Sequence, residues 1–279
     1  ISACMSAVWS LTVKAGLAKV DATSLAAWYS AGAAVILLLA ISISGGDTTL
    51  NRWGSIAGVF AGGASIALAK SFAIAPNPGF SMGVFRMQAV LTAIASYILF
   101  SAPLDRVKVI GMLIACGGVV LLALSTKTAE GFNDDKKDKK DKPKEDALEW
   151  LWLAGAAGAL MSVKDIATKH AMTAGGAGVS STLLSCGLLQ ALVAGAAAYF
   201  MDGSINLGTK KGTDTKQAIP YVAGAAAAFA LYQGTVISAS KAAPNVGMVK
   251  AIDTLGLVLT TIGSHFLYGS SLGMRSLES

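Results

Sequence analysis

Seven ionisable residues lie inside stretches of the sequence that are otherwise apolar. They are Lys14, Lys70, Arg86, Lys164, Asp165, Lys250 and Asp253. Charged side chains are costly to bury, and within a membrane they usually mark solute pathways or buried pairs. Five bases against two acids predict a cationic interior, which would favour small anionic solutes such as phosphorylated or carboxylated metabolites.

Five of these residues are the predicted substrate-binding positions: Lys14, Arg86, Lys164, Lys250 and Asp253. The i,i+3 spacing of Lys250 and Asp253 predicts that they can pair on one side of a helix. Tracing the chain places Lys14 and Arg86 toward one membrane face, and Lys164 and Lys250 toward the other. A competing interpretation is that basic side chains reach the headgroups or bind anionic lipid, without a transport role.

Enzyme chemistry lacks its parts in this sequence. The two histidines, His170 and His265, are far apart, and no Ser-His-Asp set or carboxylate pair has a useful spacing. No metal site is predicted. Gln88, Gln190 and His265 could ligand a pigment metal, but hydrogen bonds between helices are the competing interpretation. The net charge of +6 is not clustered with aromatic residues, which excludes a nucleic-acid partner.

The apolar stretches that carry these residues have the length of membrane helices. The sequence is 54% hydrophobic and 14% charged, and its 50 alanines and 31 glycines suit closely packed helices in lipid. A bilayer core needs about 20 apolar residues of helix. On that basis we predict nine spans, at 2–20, 24–44, 54–74, 79–101, 106–125, 148–172, 178–201, 218–240 and 245–268.

Two parts of the sequence resemble each other. A shift of 168 residues aligns 75–104 with 243–272 and gives 11 identities in 30 positions, where chance gives about three. A separate match at a shift of 150 aligns Lys14 with Lys164 and Lys19 with Lys169. Each half is therefore predicted to hold five spans. Because five is odd, the second half must enter the membrane upside down, as an inverted repeat.

This pattern resembles the EamA-like branch of the drug/metabolite transporter superfamily. The residues that carry the resemblance are Trp9 with Lys14, Ala69-Lys70, the Asn-Pro-Gly turn at 77–79, and Gly111 with Gly117-Gly118-Val119. The resemblance implies ten helices in two five-helix repeats. The predicted fold is thus an all-α integral membrane protein with a first repeat at 1–125, a charged linker at 126–147, and a second repeat at 148–279.

The sequence departs from the family in two ways. A Gly-Glu pair usually ends the fourth span, but here the matching positions read Ser101-Ala102 and, in the second half, Gly269-Ser270. The sequence also stops soon after the ninth span, so the family's tenth helix is expected to be missing and the second repeat to hold four helices. An incomplete repeat is hard to reconcile with symmetric alternating access.

These departures favour a structural or linker subunit of a large membrane complex over transport. A photosystem-antenna assembly is one candidate, with a thylakoid membrane as the location and chlorophyll, carotenoid or lipid as cofactors. The segment 126–149 holds seven lysines against eight acidic residues, and it is the predicted contact for neighbouring subunits, while membrane lipids are the other partners. The alternative is a secondary carrier of small anionic metabolites that works by alternating access between its two halves.

Overall fold

The protein is described from a computed structural model. The structure describes residues 1–75, 77–104, 149–202 and 215–268, together with isolated positions between 106 and 118. All regular structure in these ranges is α-helical. The predicted linker at 126–147 and most of the predicted fifth span at 106–125 lie outside the described residues.

Ten helices have both ends within the described residues, a first group of five before the predicted linker and a second group of five after it, and the described positions between 106 and 118 are also helical. The first group is α1 (Ser2–Gly16), α2 (Ala22–Ile43), α3 (Arg52–Ile74), α4 (Pro78–Phe85) and α5 (Gln88–Phe100). The second group is α6 (Glu149–Met172), α7 (Val179–Asp202), α8 (Thr215–Ala242), α9 (Val246–Asp253) and α10 (Leu255–Tyr268).

Within the described parts of the chain, six stretches are helical, long and apolar enough to cross a membrane, and they indicate an integral membrane protein. They are Ala22–Ile43, Arg52–Ile74, Pro78–Phe100, Val179–Met201, Thr215–Ala242 and Val246–Tyr268. Two other predicted spans are helices outside this set. Helix α1 has only 15 residues, and α6 carries Lys164, Asp165 and Lys169, whose charges lower its apolar character.

Helices α4 and α9 begin in the same way. The side-chain Oδ1 of Asn77 accepts a hydrogen bond from Gly79 N at 2.7 Å, and Asn245 Oδ1 accepts one from Gly247 N at 2.8 Å. An asparagine before the first turn satisfies a backbone N–H that has no partner within the helix. Both helices are eight residues long, and each is followed after a short break by the next helix.

The two groups interlock rather than pack as separate bodies. Helix α1 packs against α8 and α10, and α6 packs against α3 and α5. Helix α2 packs against α7 and α8, and α7 also packs against α3. Helix α4 contacts α10, and α9 contacts α5. One large apolar core includes residues from both groups. The contacts across the groups therefore place polar side chains of both in a shared interior.

Aromatic side chains fill the core beside that interior. Trp9 lies 5.1 Å from Phe229 and 6.3 Å from Tyr232, measured between ring centroids, and its ring is nearly parallel to that of Tyr232. Tyr29 meets Trp9 edge-on at 5.9 Å. All four rings are buried, and aromatic contacts of this kind fix the positions of large side chains. The phenol of Tyr232 is thereby held at one place in the interior.

Outside the apolar helices, the connection between α2 and α3 is fixed by a local turn. The backbone N–H and the hydroxyl of Thr49 donate to the Asp47 carboxylate at 2.8 and 2.9 Å. These hydrogen bonds, the backbone one foremost, lower the pKa of Asp47 because they favour the charged form. Asp47 is exposed, so substitutions of this carboxylate can be compared with substitutions of the buried carboxylates described next.

Candidate functional site: a buried charged network

An ion pair joins the first helix group to the second. The Arg86 guanidinium, at the break between α4 and α5, donates through Nη1 to Asp253 Oδ2 at the end of α9. Its Nη2 donates to Ser6 Oγ on α1. Arg86 is 3% exposed and Asp253 is fully buried. The broken ends of two helices are therefore tied together by charge in the interior.

A second ionic cluster lies on α6 and α9. The Asp165 carboxylate pairs with Lys250 Nζ at 3.1 Å and with Lys164 Nζ at 3.3 Å. All three side chains are buried. Because Asp165 is shared by two ammonium groups, this cluster holds one more positive charge than negative.

Tyr232 on α8 connects the two ion pairs. Its hydroxyl donates to Asp253 Oδ2 at 3.0 Å and accepts from Lys250 Nζ at 3.4 Å. The Lys250 ammonium also lies 5.5 Å from the centre of the Tyr232 ring. One phenol thus bridges the Arg86–Asp253 pair and the Lys250–Asp165 pair.

The polar chain continues beyond Lys164 as neutral side chains. Lys164 Nζ donates to Gln233 Oε1 at 2.8 Å, and Gln233 Nε2 donates to Gln190 Oε1 at 3.4 Å. Gln190 Nε2 in turn donates to Ser65 Oγ at 2.9 Å and Ser30 Oγ at 3.3 Å. Gln190 therefore makes hydrogen bonds between helices, which is the interpretation that competed with its being a pigment ligand. We call this whole set of connected side chains the charged network. Its members are Ser6, Arg86, Asp253, Tyr232, Lys250, Asp165, Lys164, Gln233, Gln190, Ser65 and Ser30.

The charged network contains three cations and two anions: Arg86, Lys164 and Lys250 with Asp165 and Asp253. Taking an ion out of water costs on the order of several kcal/mol. Pairing with an opposite charge recovers this cost only when the geometry of the pair is good. The pairs here are supported by Tyr232, which donates to Asp253, and by Gln233, which accepts from Lys164. The surplus positive charge remains buried, and a small anion would neutralise it.

Four of the five predicted site residues enter the charged network, and the fifth does not. Lys14 donates to the carbonyls of Phe72 and Ala75 at 2.6 and 3.2 Å, at the end of α3. Lys169 donates in the same way to Ser240 and Ala243, at 2.9 and 2.7 Å. Each lysine binds the carbonyl end of a helix, which favours a cation there.

One sequence expectation about these residues is wrong. Lys250 and Asp253 are not paired to each other, because Lys250 reaches Asp165 and Asp253 binds Arg86. Arg86 belongs to one network with Lys164 and Lys250, and the membrane face toward which each of them lies stays a prediction. Lys14 and Lys169 make similar contacts at two different helix ends, whereas the shift of 150 aligned Lys14 with Lys164.

Sequence reasoning missed most of the neutral members of the charged network. Asp165 was recognisable as an acid inside an apolar stretch, but it was not predicted as a site residue. Tyr232 and Gln233 carried no signal apart from being adjacent polar residues in an apolar helix. Ser6 resembles the many other small residues on α1. Only the helix packing shows which of these face the charges.

A cavity of about 520 Å³ lies beside Arg86, lined by residues of α4, α5, α9 and α10 together with Leu104 and described positions between 111 and 118. Arg86, Asn245 and Thr254 lie on its wall, and most of its other lining residues are apolar. Small-molecule sites typically have volumes of this order. Among the described residues, no group of three or more His, Cys, Asp or Glu side chains could hold a metal ion.

Comparisons with known proteins give the fold but not the family. No family model matches the sequence, and no curated protein matches it. A solved structure described only as "Crystal structure of protein" superposes with a TM-score of 0.64 over 97% of this chain and 88% of that chain. The two sequences are 16% identical, so the likeness concerns the backbone fold alone.

Proposed function

We propose that this integral membrane protein is a secondary carrier of small organic anions with an EamA-like inverted-repeat fold. The observation that carries the proposal is the buried charged network, which spans both helix groups and holds one cation in excess. A buried surplus charge is costly unless something compensates it. A carboxylate or phosphate bound beside Arg86, Lys164 or Lys250 would do so.

Matched contacts at a separation of 168 residues support the repeat. A side chain at Gly79 would meet Thr261, and one at Gly247 would meet Ala93, and Thr261 follows Ala93 by 168 positions. The helix ends bound by Lys14 and Lys169 correspond in the same way, since Ala243 follows Ala75 by that number. These pairs are expected if the two groups share one architecture.

The proposed mechanism uses competition between the substrate and the two aspartates. An anion entering the interior would take over cation contacts from Asp253 or Asp165, and this would loosen the pairs that join the helix groups. The breaks at Arg86 and Thr254 lie where α4–α5 and α9–α10 would have to move. Rocking of two halves around a central site is the usual motion of inverted-repeat carriers.

Uptake into proteoliposomes tests this proposal. The purified chain is reconstituted, and vesicles preloaded with unlabelled solute are given labelled monocarboxylates, dicarboxylates or sugar phosphates, with organic cations as the reference set. We expect exchange of at least one anion class and none of the cations. Exchange of no anion, with correctly inserted protein, would contradict the proposal.

A structural or linker subunit of a large membrane complex is the second candidate. It is favoured by the ion pairing within the charged network, because each of the three cations has a carboxylate partner. These pairs hold the helices together. In this proposal the segment 126–149 contacts neighbouring subunits, and a photosystem-antenna assembly in a thylakoid membrane is one setting. Pigments and lipids would then be the bound cofactors.

Native electrophoresis of gently solubilised source membranes separates the two candidates. A subunit of a pigmented assembly migrates in a very large band with visible absorbance. A free carrier migrates as a small, colourless monomer or dimer. The absorbance of the band that contains this chain is therefore the deciding observation.

A further inference from the structure

Buried charge is unequal in the described part of the chain. Four cations and two anions there are buried: Arg86, Lys164, Lys169, Lys250, Asp165 and Asp253. Burying an ion is costly unless an opposite charge or well-placed dipoles compensate it. It therefore matters which of the four cations lack a carboxylate of their own.

Two of the four cations are compensated, Lys169 by a helix end and Arg86 by a carboxylate. Lys169 Nζ donates to the carbonyls of Ser240 and Ala243 at 2.9 and 2.7 Å, at the end of α8. The carbonyl end of a helix bears a partial negative charge that favours a cation. Arg86 has Asp253 as its carboxylate partner. The remaining two cations have only one carboxylate between them.

The surplus charge lies at the Lys164 end of the charged network. Asp165 is shared by two ammonium groups, at 3.1 Å from Lys250 Nζ and at 3.3 Å from Lys164 Nζ. The shorter hydrogen bond of Lys164 goes to Gln233 Oε1 at 2.8 Å, which is a neutral acceptor. One unit of positive charge is thus balanced by dipoles alone.

The charged network is closed to solvent around this surplus. Its five ionised side chains are between 0% and 3% exposed. A bound monovalent anion would bring the total charge to zero, whereas a dianion would make it negative. Burying a net charge of either sign is costly in a membrane protein. The charge of the bound solute therefore decides how easily this closed arrangement forms.

We propose that the carrier closes around the charged network only with a monovalent anion bound, so that it exchanges anions one for one across the membrane. This inference rests on the proposed function, to which it adds a coupling mode and the charge of the substrate. After releasing an anion on one side, the protein would have to bury its surplus cation in order to return. A second anion removes that cost, because it binds the closed arrangement and shifts the equilibrium toward it.

Exchange and net uptake in proteoliposomes test this inference. Two probe pairs are used, lactate with malate and gluconate with glucarate, and each pair compares a monoanion with a dianion at neutral pH. Labelled probe enters vesicles that hold either the same unlabelled probe or potassium dextran sulfate, whose polyanion is impermeant. Equal potassium on both sides and valinomycin keep the membrane potential near zero, so that net uptake is not opposed by a potential.

We expect the monoanion of at least one pair to enter by exchange about tenfold or more faster than by net uptake. We also expect it to exchange faster than the matched dianion. Net uptake as fast as exchange, or a dianion that exchanges as fast as its monoanion, would overturn this inference and leave anion transport in place. Exchange of no probe would contradict the inference and the proposed function alike.

Two variants remove the surplus charge at different side chains. Gln233→Glu places a carboxylate at the neutral acceptor of Lys164, and Lys164→Gln removes the cation, so that buried cations and anions of the charged network become equal in number. We expect the ratio of exchange to net uptake to fall toward one in both. Lys70→Gln, outside the charged network, should keep the wild-type ratio. A wild-type ratio in either folded variant would overturn the inference.

The melting temperature in detergent gives a second measurement that needs no transport. A ligand that binds only the folded protein raises its melting temperature. The exchanged monoanion should therefore stabilise the wild type and Lys70→Gln, but neither Gln233→Glu nor Lys164→Gln. If Gln233→Glu does not fold, Lys164→Gln alone decides. An equal rise in the wild type and in the folded variants of the charged network would overturn the inference.

Discussion

Arg86 and Asp253 are 167 residues apart in the chain and form an ion pair whose side chains are 2% and 0% exposed. Arg86 lies at the break that follows α4, and Asp253 ends α9. The pair therefore links the two broken helices directly. Breaking one partner of a buried pair is far more costly than replacing both by apolar side chains.

The first prediction concerns this pair. Asp253→Asn leaves Arg86 without its carboxylate, and we expect the free energy of unfolding to fall by about 3–5 kcal/mol. The double variant Arg86→Met with Asp253→Leu should recover most of that loss, since no unpaired charge remains. Thermal unfolding in detergent measures both, and Asp47→Asn at the exposed α2–α3 connection is the control. An Asp253→Asn melting temperature equal to that of the control would contradict the assignment.

Tyr232 gives the second prediction, because its hydroxyl bridges the two ion pairs. Tyr232→Phe keeps the ring beside Trp9 but removes both hydrogen bonds, and we expect a loss of about 1–3 kcal/mol. A double-mutant cycle between Arg86→Lys and Lys250→Arg, measured with Tyr232 and then with Phe at that position, checks the bridge. Coupling that is as large with phenylalanine would show that the hydroxyl does not connect the pairs.

Helix ends are the subject of the third prediction. Lys14→Met and Lys169→Met each remove hydrogen bonds to the last carbonyls of α3 or α8, and each should lower the free energy of unfolding by about 1–3 kcal/mol. Lys70→Met is the matched control, because its Nζ makes a weak contact at 3.9 Å with Met201 Sδ. We expect this control to stay within about 0.5 kcal/mol of the wild type.

The same lysines separate a structural role from a substrate role. If Lys14 binds substrate, as the sequence predicted, Lys14→Met should abolish uptake at a temperature where the variant is fully folded. A stability loss with normal uptake of the folded fraction would restrict Lys14 to the helix end. The two measurements use the same purified sample.

The fourth prediction uses the close contacts of two glycines. A Cβ at Gly79 would lie 3.1 Å from Thr261 Cα and would meet its hydroxyl, while one at Gly247 would lie 2.6 Å from Ala93 Cα. Gly79→Ala and Gly247→Ala should each cost about 1–3 kcal/mol through overpacking. Gly234→Ala, which meets nothing within 4 Å, should be neutral or slightly stabilising. Equal melting temperatures for all three would contradict the packing described.

Much of the helix framework was predictable from hydropathy. The stretches 24–44, 54–74, 178–201 and 218–240 correspond closely to α2, α3, α7 and α8, since apolar runs of that length have few alternatives. The breaks within 79–101 and 245–268 were not predicted. Their sequences stay apolar on both sides of Arg86 and Thr254, so hydropathy gives no sign of an interruption.

The site was predictable by residue type but not by partner. Arg86, Lys164, Lys250 and Asp253 were noticed as ionisable residues in apolar stretches, and all four are buried, while their role in substrate binding stays a prediction. Spacing along one helix suggested the Lys250–Asp253 pair, yet the packing of α9 against other helices placed stronger partners nearby. Contacts between residues more than 80 positions apart, such as Arg86 with Asp253, leave no local pattern in a single sequence.

Uptake of an organic anion by variants in which one lysine is replaced by a neutral glutamine tests the central proposal most directly. Lys164→Gln removes a network cation while Lys250 stays paired with Asp165, and Lys70→Gln removes a lysine outside the network. With equal amounts of folded protein in the vesicles, the proposal predicts that Lys164→Gln loses about tenfold or more of the wild-type uptake and that Lys70→Gln keeps it. Equal uptake by the two variants, or no anion uptake by the wild type, would contradict it.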